Sequence, residues 1–149
     1  MIQLAALLWV GVAATPTFPL VPATQFPGAS GEVALRRAWS PFDIALTRDG
    51  VLVYDLTVTV AGLPRAEVGQ TFVAWLATPN LDRVRRLGPV QQETPLTGRV
   101  DWNQFLVVVT LESGEPGDRW AGATVLMGRS PSSLIRPLWG HSIFRPTPF

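Results

Sequence analysis

The chain has 149 residues, with twelve basic against eleven acidic side chains and no cysteine. Nearly balanced charge provides no general field for nucleic acid or anionic lipid, and the missing thiols exclude disulfides, thiolate nucleophiles and sulfur-ligated metals. The length suits one domain, with tails, whose core must hold by packing alone.

Charge is unevenly placed, because the first charged side chain is Glu32. Residues 2–14 form an apolar run whose helix would be about 20 Å long, short of the roughly 30 Å hydrocarbon core of a bilayer. The run reads as a signal peptide, with its apolar centre at residues 4–12 and the small residues Val12 and Ala14 at a cleavage position. Its n-region carries no Lys or Arg. The other reading is a short apolar anchor that rests on a membrane surface through residues such as Leu8 and Trp9.

Residues 15–31 contain Pro16, Pro19, Pro22 and Pro27, which favour extended or polyproline backbone and argue against both helix and central strand. The stretch reads as a linker or, since Phe18, Leu20 and Phe26 are too apolar for a solvated linker, as an arm lying on a partner.

Residues 32–128 read as the domain. Phe42, Ile44 and Leu46 alternate with polar or small neighbours, as do Leu52, Tyr54, Leu56, Val58 and Val60, predicting two half-buried strands. Side-chain parity between them favours a three-residue loop with Gly50 left-handed, which sets Leu46 opposite Leu52, Ile44 opposite Tyr54 and Phe42 opposite Leu56. Residues 70–78 are apolar on both faces and predict a central strand. Residues 82–87 predict an exposed strand, 91–98 a loop, 100–102 a short strand, 104–112 a second central strand and 120–127 the last. Short strands with turn chemistry between them predict an all-β fold, an antiparallel β-sandwich, immunoglobulin-like or related, with an extended N-terminal arm and a C-terminal tail. Residues 129–149 form that tail, in which Arg136, Trp139, Phe144, Arg145 and Phe149 have the composition of interface hot spots. Its alternative is to fold back over a sheet edge.

The pieces Phe72-Val73-Ala74-Trp75-Leu76, Arg86-Leu87-Gly88, Val109-Thr110-Leu111-Glu112 and Val125-Leu126-Met127-Gly128, with a Gly/Pro-rich loop before the last, resemble the extracytoplasmic domain of anti-sigma-K factors. The resemblance spans less than half of the chain and implies a small extracytoplasmic β-sandwich. It does not bring the regulatory function, since the 31 uncharged residues ahead of Glu32 hold no helical sigma-binding domain.

Little in the sequence points to catalysis. His141 is the only histidine, too few for an imidazole metal site and badly placed in the tail for a Ser-His-Asp set. Glu112, Glu115 and Asp118 read as a solvated turn, and Asp43 and Asp55 as solvated strand surface. Arg83, Arg85 and Arg86 form a basic cluster without adjacent aromatic residues, which reads as exposed strand and not as a nucleic-acid platform. The expectation is a non-enzymatic, cofactor-free periplasmic or extracytoplasmic accessory subunit of a bacterial membrane complex, respiratory or photosynthetic. It would grip the complex through Leu8, Trp9, Phe18, Leu20 and Phe26 on the arm and the five tail residues named above. The alternative is an exported sensory or ligand-binding sandwich.

Overall fold

Thr17–Pro22 forms the first strand, β1, of the antiparallel all-β fold in the computed structural model of the protein, which describes residues 15–41 and 45–134. The other strands are β2 (Ser30–Arg37), β3 (Tyr54–Ala61), β4 (Gln70–Ala77), β5 (Val84–Pro89), β6 (Leu96–Val100), β7 (Leu106–Ser113) and β8 (Ala123–Arg129), followed by one helical turn, α1 (Pro131–Leu134). Neighbours run in the order β5-β4-β7-β8-β1-β2-β3-β6. Strand β1 joins two layers, since residues 17–20 pair with β2 and residues 21–22 pair with β8. The end strands β5 and β6 approach one another, so the sheet nearly closes on itself around the core.

The placement of β1 corrects the expectation of an arm outside the domain. Phe18 and Leu20 are 5% and 3% exposed, and Phe18 packs edge-on against Phe105 at 6.1 Å between ring centroids. Phe26 is half-buried against the same core. The prolines are compatible with a strand because of where each nitrogen points. The Leu35 N–H donates to the Pro16 carbonyl (2.9 Å), which makes residues 16, 18 and 20 the ones whose backbone groups face β2. Pro19 therefore turns its nitrogen away from β2. The Ala23 N–H donates to the Val125 carbonyl (2.9 Å), so residues 21 and 23 face β8 and the nitrogen of Pro22 faces away from it. The missing N–H groups of Pro19 and Pro22 fall at positions where neither paired strand asks for them.

Period-two alternation buries Val33 and Leu35 of β2, Leu56, Val58 and Val60 of β3, Phe72, Ala74 and Leu76 of β4, and Val107 and Val109 of β7 between the layers. A one-residue bulge on β8, opposite Val109 and Thr110, turns both Val125 and Leu126 into the core. Strands β4 and β7 are buried on their other face too, where Val73, Trp75, Ala77, Leu106 and Val108 form a second cluster with Trp120 and Val84 against it. The expectation of two central strands apolar on both faces is met here.

That outer cluster contains a buried polar chain. The Trp75 indole N–H donates to Thr110 Oγ1 (2.9 Å), the Thr110 hydroxyl donates to Glu112 Oε1 (2.5 Å), and Glu112 Oε2 accepts from the N–H groups of Ala121 (3.2 Å) and Gly122 (2.9 Å). Glu112 is 4% exposed, which corrects its assignment to a solvated turn. Gly122 makes the arrangement geometrically feasible, because a Cβ there would lie 2.0 Å from the Leu111 carbonyl oxygen. The loop before β8 is thus fastened across β7, with Trp120 tilted against Trp75 at 6.1 Å.

The first hairpin is shorter than expected. Leu46 does stand opposite Leu52, and Gly50 has a φ of 77°, so the three-residue loop forms as parity required. Beyond it β3 takes other neighbours: Tyr54 pairs with Arg37 and Val100, and Leu56 with Leu35 and Gly98. Residues 42–44 lie outside the described residues. Residues 96–98, expected in a loop, belong to β6, and the exposed strand expected from residue 82 starts at Val84. The domain also runs past residue 128, since the Ser130 N–H donates to the Phe105 carbonyl (2.9 Å) and Ser130 is fully buried.

Candidate functional site

The outward residues of β2, β3 and β6 stand in register rows across the face opposite the core. One row is Arg36, Asp55 and Arg99, the next Ala34, Thr57 and Thr97, and the third Glu32 and Thr59. Period two places large apolar side chains of these strands inside, so what remains outside is small or charged. The result is a groove of about 780 Å³ lined by Arg36, Arg37, Trp39, Asp55, Thr57 and Arg99, among others.

The first row sets Asp55 between Arg36 and Arg99, with Arg37 at the rim of the groove. Arg99 Nε donates to Asp55 Oδ1 at 2.9 Å, in a pair whose side chains are 65% and 44% exposed. Water screens such a pair, and its worth is that of a surface ion pair, about 0.2–1 kcal/mol. Arg36 and Arg37 have neither hydrogen bond nor ion pair among the described residues. Arg36 rises from the outward face of β2 into the groove. Trp39 is 83% exposed. It is held there by its neighbour, since Ala38 is buried and its N–H donates to the Val53 carbonyl (3.0 Å).

Arg85 borders this region and closes the seam between β5 and β6. Its Nη2 donates to the Arg99 carbonyl (2.6 Å), and its guanidinium lies 5.0 Å from the Trp102 ring centroid. The same nitrogen is 3.3 Å from Asp101 Oδ1, an oxygen shielded from solvent and without a hydrogen bond among the described residues. That contact is a coulombic one, lacking the direction of a hydrogen bond. The expectation that the basic cluster of β5 has no aromatic neighbour is corrected by Trp102, which the chain brings from the segment after β6.

Among the described residues no group of three His, Cys, Asp or Glu side chains could hold a metal ion. Asp55, expected on open strand surface beside Asp43, sits between Arg36 and Arg99. In the turn after β4 the Thr78 hydroxyl donates to Asp82 and holds its carboxyl below the ordinary value of 3.8. This is turn chemistry and lies away from the groove.

Of the residues expected to bind a partner, Phe18 and Leu20 are core and Phe26 is half-buried. Leu8, Trp9, Arg136, Trp139, Phe144, Arg145 and Phe149 lie outside the described residues. The groove residues Arg36, Arg37 and Trp39 escaped notice in the sequence, although Arg36-Arg37-Ala38-Trp39 is a local Arg/Trp run. Glu32, Ala34 and Arg36 alternating with Val33 and Leu35 would have identified the outward face. No protein-family model, curated protein or solved structure matches this chain.

Proposed function

We propose that this protein is a non-catalytic docking module, an extracytoplasmic accessory subunit of a bacterial membrane complex that meets its partner through the Arg/Trp groove. The observation that carries the reading is Trp39, 83% exposed beside two guanidinium groups that have no partner among the described residues. Trp and Arg are the side chains that most often anchor protein interfaces, and leaving an indole in water without a partner forgoes its burial energy. The extracytoplasmic assignment rests on the charge-free residues 1–31 and on the resemblance to anti-sigma-K extracytoplasmic sandwiches. No helix among the described residues is long and apolar enough to cross a membrane.

The test uses the full chain expressed at native level in its own host. Solubilised membranes are resolved by size, and the wild type is compared with the Trp39→Ala, Arg36→Glu double variant. Co-migration of the wild type with one large membrane assembly, lost in a variant with an unchanged melting temperature, is the expected outcome. Recovery of both proteins as free monomers in the same fractions would overturn the reading. The intact mass of the mature chain, measured in parallel, shows whether residues 1–14 are removed.

A further inference from the structure

The face that carries the groove continues into a second groove of about 430 Å³, lined by Ser30, Glu32, Ala34, Thr57 and Thr59, among others; the two share Thr57. The ends of this continuous channel have opposite charge. Arg36 stands at one end, beside the Asp55–Arg99 pair, and Glu32 at the other, and the side chains of Arg36 and Glu32 have no hydrogen bond or ion pair among the described residues. Glu32 and Arg36 lie on one strand with three residues between them, so their side chains rise from the same face about 13 Å apart. Between them the outward side chains are Ala34, Thr57 and Thr59, none larger than threonine. The floor is low and offers hydroxyl groups.

An extended polypeptide repeats this geometry. At about 3.3 Å per residue, its side chains at positions one and five also point the same way about 13 Å apart. A basic side chain over Glu32 and an acidic one over Arg36 would match both ends at once, and a small residue at position three would clear Ala34 and Thr57. The threonine hydroxyls can meet backbone groups of such a segment. Phosphate or an isolated carboxylate would use only the arginine end. A nucleic acid, negative along its whole length, would place a phosphate against Glu32.

From this we infer that the channel binds an extended segment of a protein partner in which a basic and an acidic side chain stand four positions apart with a small residue midway. The inference rests on the docking reading and names the chemistry of the partner at that surface. Arginine supplies a bidentate fork for the acidic side chain, while the single carboxylate of Glu32 fixes which end of the segment is basic.

Amide NMR of the full chain tests it with pentapeptides blocked at both termini. One carries lysine at position one, alanine at three and glutamate at five; a second carries glutamate at both ends; inorganic phosphate is the third titrant. The mixed-charge peptide should shift the amides of Arg36, Thr57 and Thr59 saturably and bind at least about fivefold tighter than the peptide with two glutamates. In the Glu32→Arg variant, an exposed change whose other amide shifts report an intact fold, the preference should reverse by a similar factor. Shifts scattered over other faces, equal binding of the two peptides, or phosphate reproducing the whole pattern would overturn the inference. Loss of peptide preference with membrane co-migration intact removes only this inference. Selective peptide binding by a protein that is free in the host removes the docking assignment and leaves the channel.

Discussion

Replacing Glu112 by alanine removes the acceptor for three donors at once: the Thr110 hydroxyl and the backbone N–H groups of Ala121 and Gly122. Thr110 is fully buried and cannot turn to water, whereas Ala121 is exposed and Gly122 half-exposed, so their N–H groups recover hydration in part. A hydrogen bond to a charged group contributes about 1.5–3 kcal/mol net, and an orphaned buried donor costs about 1–3 kcal/mol. With the two backbone donors discounted, the loss should be about 3 kcal/mol. At a urea slope of about 2 kcal/mol per molar, the unfolding midpoint, followed by tryptophan fluorescence, should fall by about 1.5 M. Thr110→Val leaves the fully buried Trp75 indole N–H without its acceptor and should cost about 2 kcal/mol. Because the two residues share one chain of bonds, the double variant should lose at least about 1 kcal/mol less than the sum of the two losses. A solvated turn glutamate would cost no more than about 0.5 kcal/mol. A loss that small for Glu112→Ala, or strict additivity with Thr110→Val, would refute the buried chain as the fastening of the loop before β8.

Further outcomes are expected at three other places. Arg85→Ala should destabilise by about 1–2 kcal/mol through the lost bond to the Arg99 carbonyl and the lost contact with Trp102, and should speed amide hydrogen exchange in β6; unchanged exchange there would show that the seam does not depend on it. The Asp82 carboxyl titrates below its unfolded value of 3.8 because of the Thr78 hydroxyl, so its contribution is present above that pH and is lost as pH falls through the lowered value. Melting curves of the wild type and Asp82→Asn should therefore differ above about pH 4 and converge in stronger acid, and a gap that widens on acidification would reverse the sign. Glu93 is exposed and has a φ of 60°, in the left-handed region that costs a residue with a Cβ about 1–2 kcal/mol. Glu93→Gly relieves that strain at an entropic cost of about 0.5–1 kcal/mol, and the urea midpoint should rise; a fall would show that the side chain has a supporting contact.

The sequence made legible whatever depends on period and parity. Residues 70–78 and 104–112, apolar on both faces, became the two strands buried on both sides, and parity alone chose the Leu46–Leu52 register and the left-handed Gly50. What stayed hidden depends on which strand lies beside which. Pro19 and Pro22 argue against a strand until it is known that β1 changes partner between Leu20 and Val21, so that each proline nitrogen faces away from the strand its residue pairs with. Glu112 looks like turn chemistry beside Gly114 and Pro116, and becomes a core group only because Gly122 lets β8 begin against Leu111. Likewise Arg85 gains an aromatic neighbour from beyond β6, and the row Arg36-Asp55-Arg99 is assembled from three strands separated widely in the chain.

The two outer faces of the sheet are built to different rules, and on the proposed docking reading the difference favours the β2/β3/β6 side for a partner. On the β4/β7 side the outward positions hold Val73, Trp75, Leu106 and Val108, all nearly inaccessible, and the polar groups among them are joined to one another. What that face leaves exposed is apolar, at Met127 and Val21 farther along the same register row. On the β2/β3/β6 side the outward positions hold alanine, threonine, the exposed Asp55–Arg99 pair and, at Arg36 and Glu32, charge without a partner among the described residues, all of which bury little and stabilise the fold little. A domain without disulfides draws its stability from packing, and a fold under that constraint alone would have used these positions for larger apolar contacts or for compensated ion pairs. Among the described residues Arg36, Arg37 and Glu32 do neither, and Trp39 is exposed near the arginines. Charge without a partner among the described residues and an exposed indole contribute little to stability, so on the proposed docking reading substitutions there should leave the melting temperature nearly unchanged while abolishing association with the partner. The same number of substitutions in the Trp75–Thr110–Glu112 chain should do the opposite in the purified protein, lowering stability without altering which segment the groove selects.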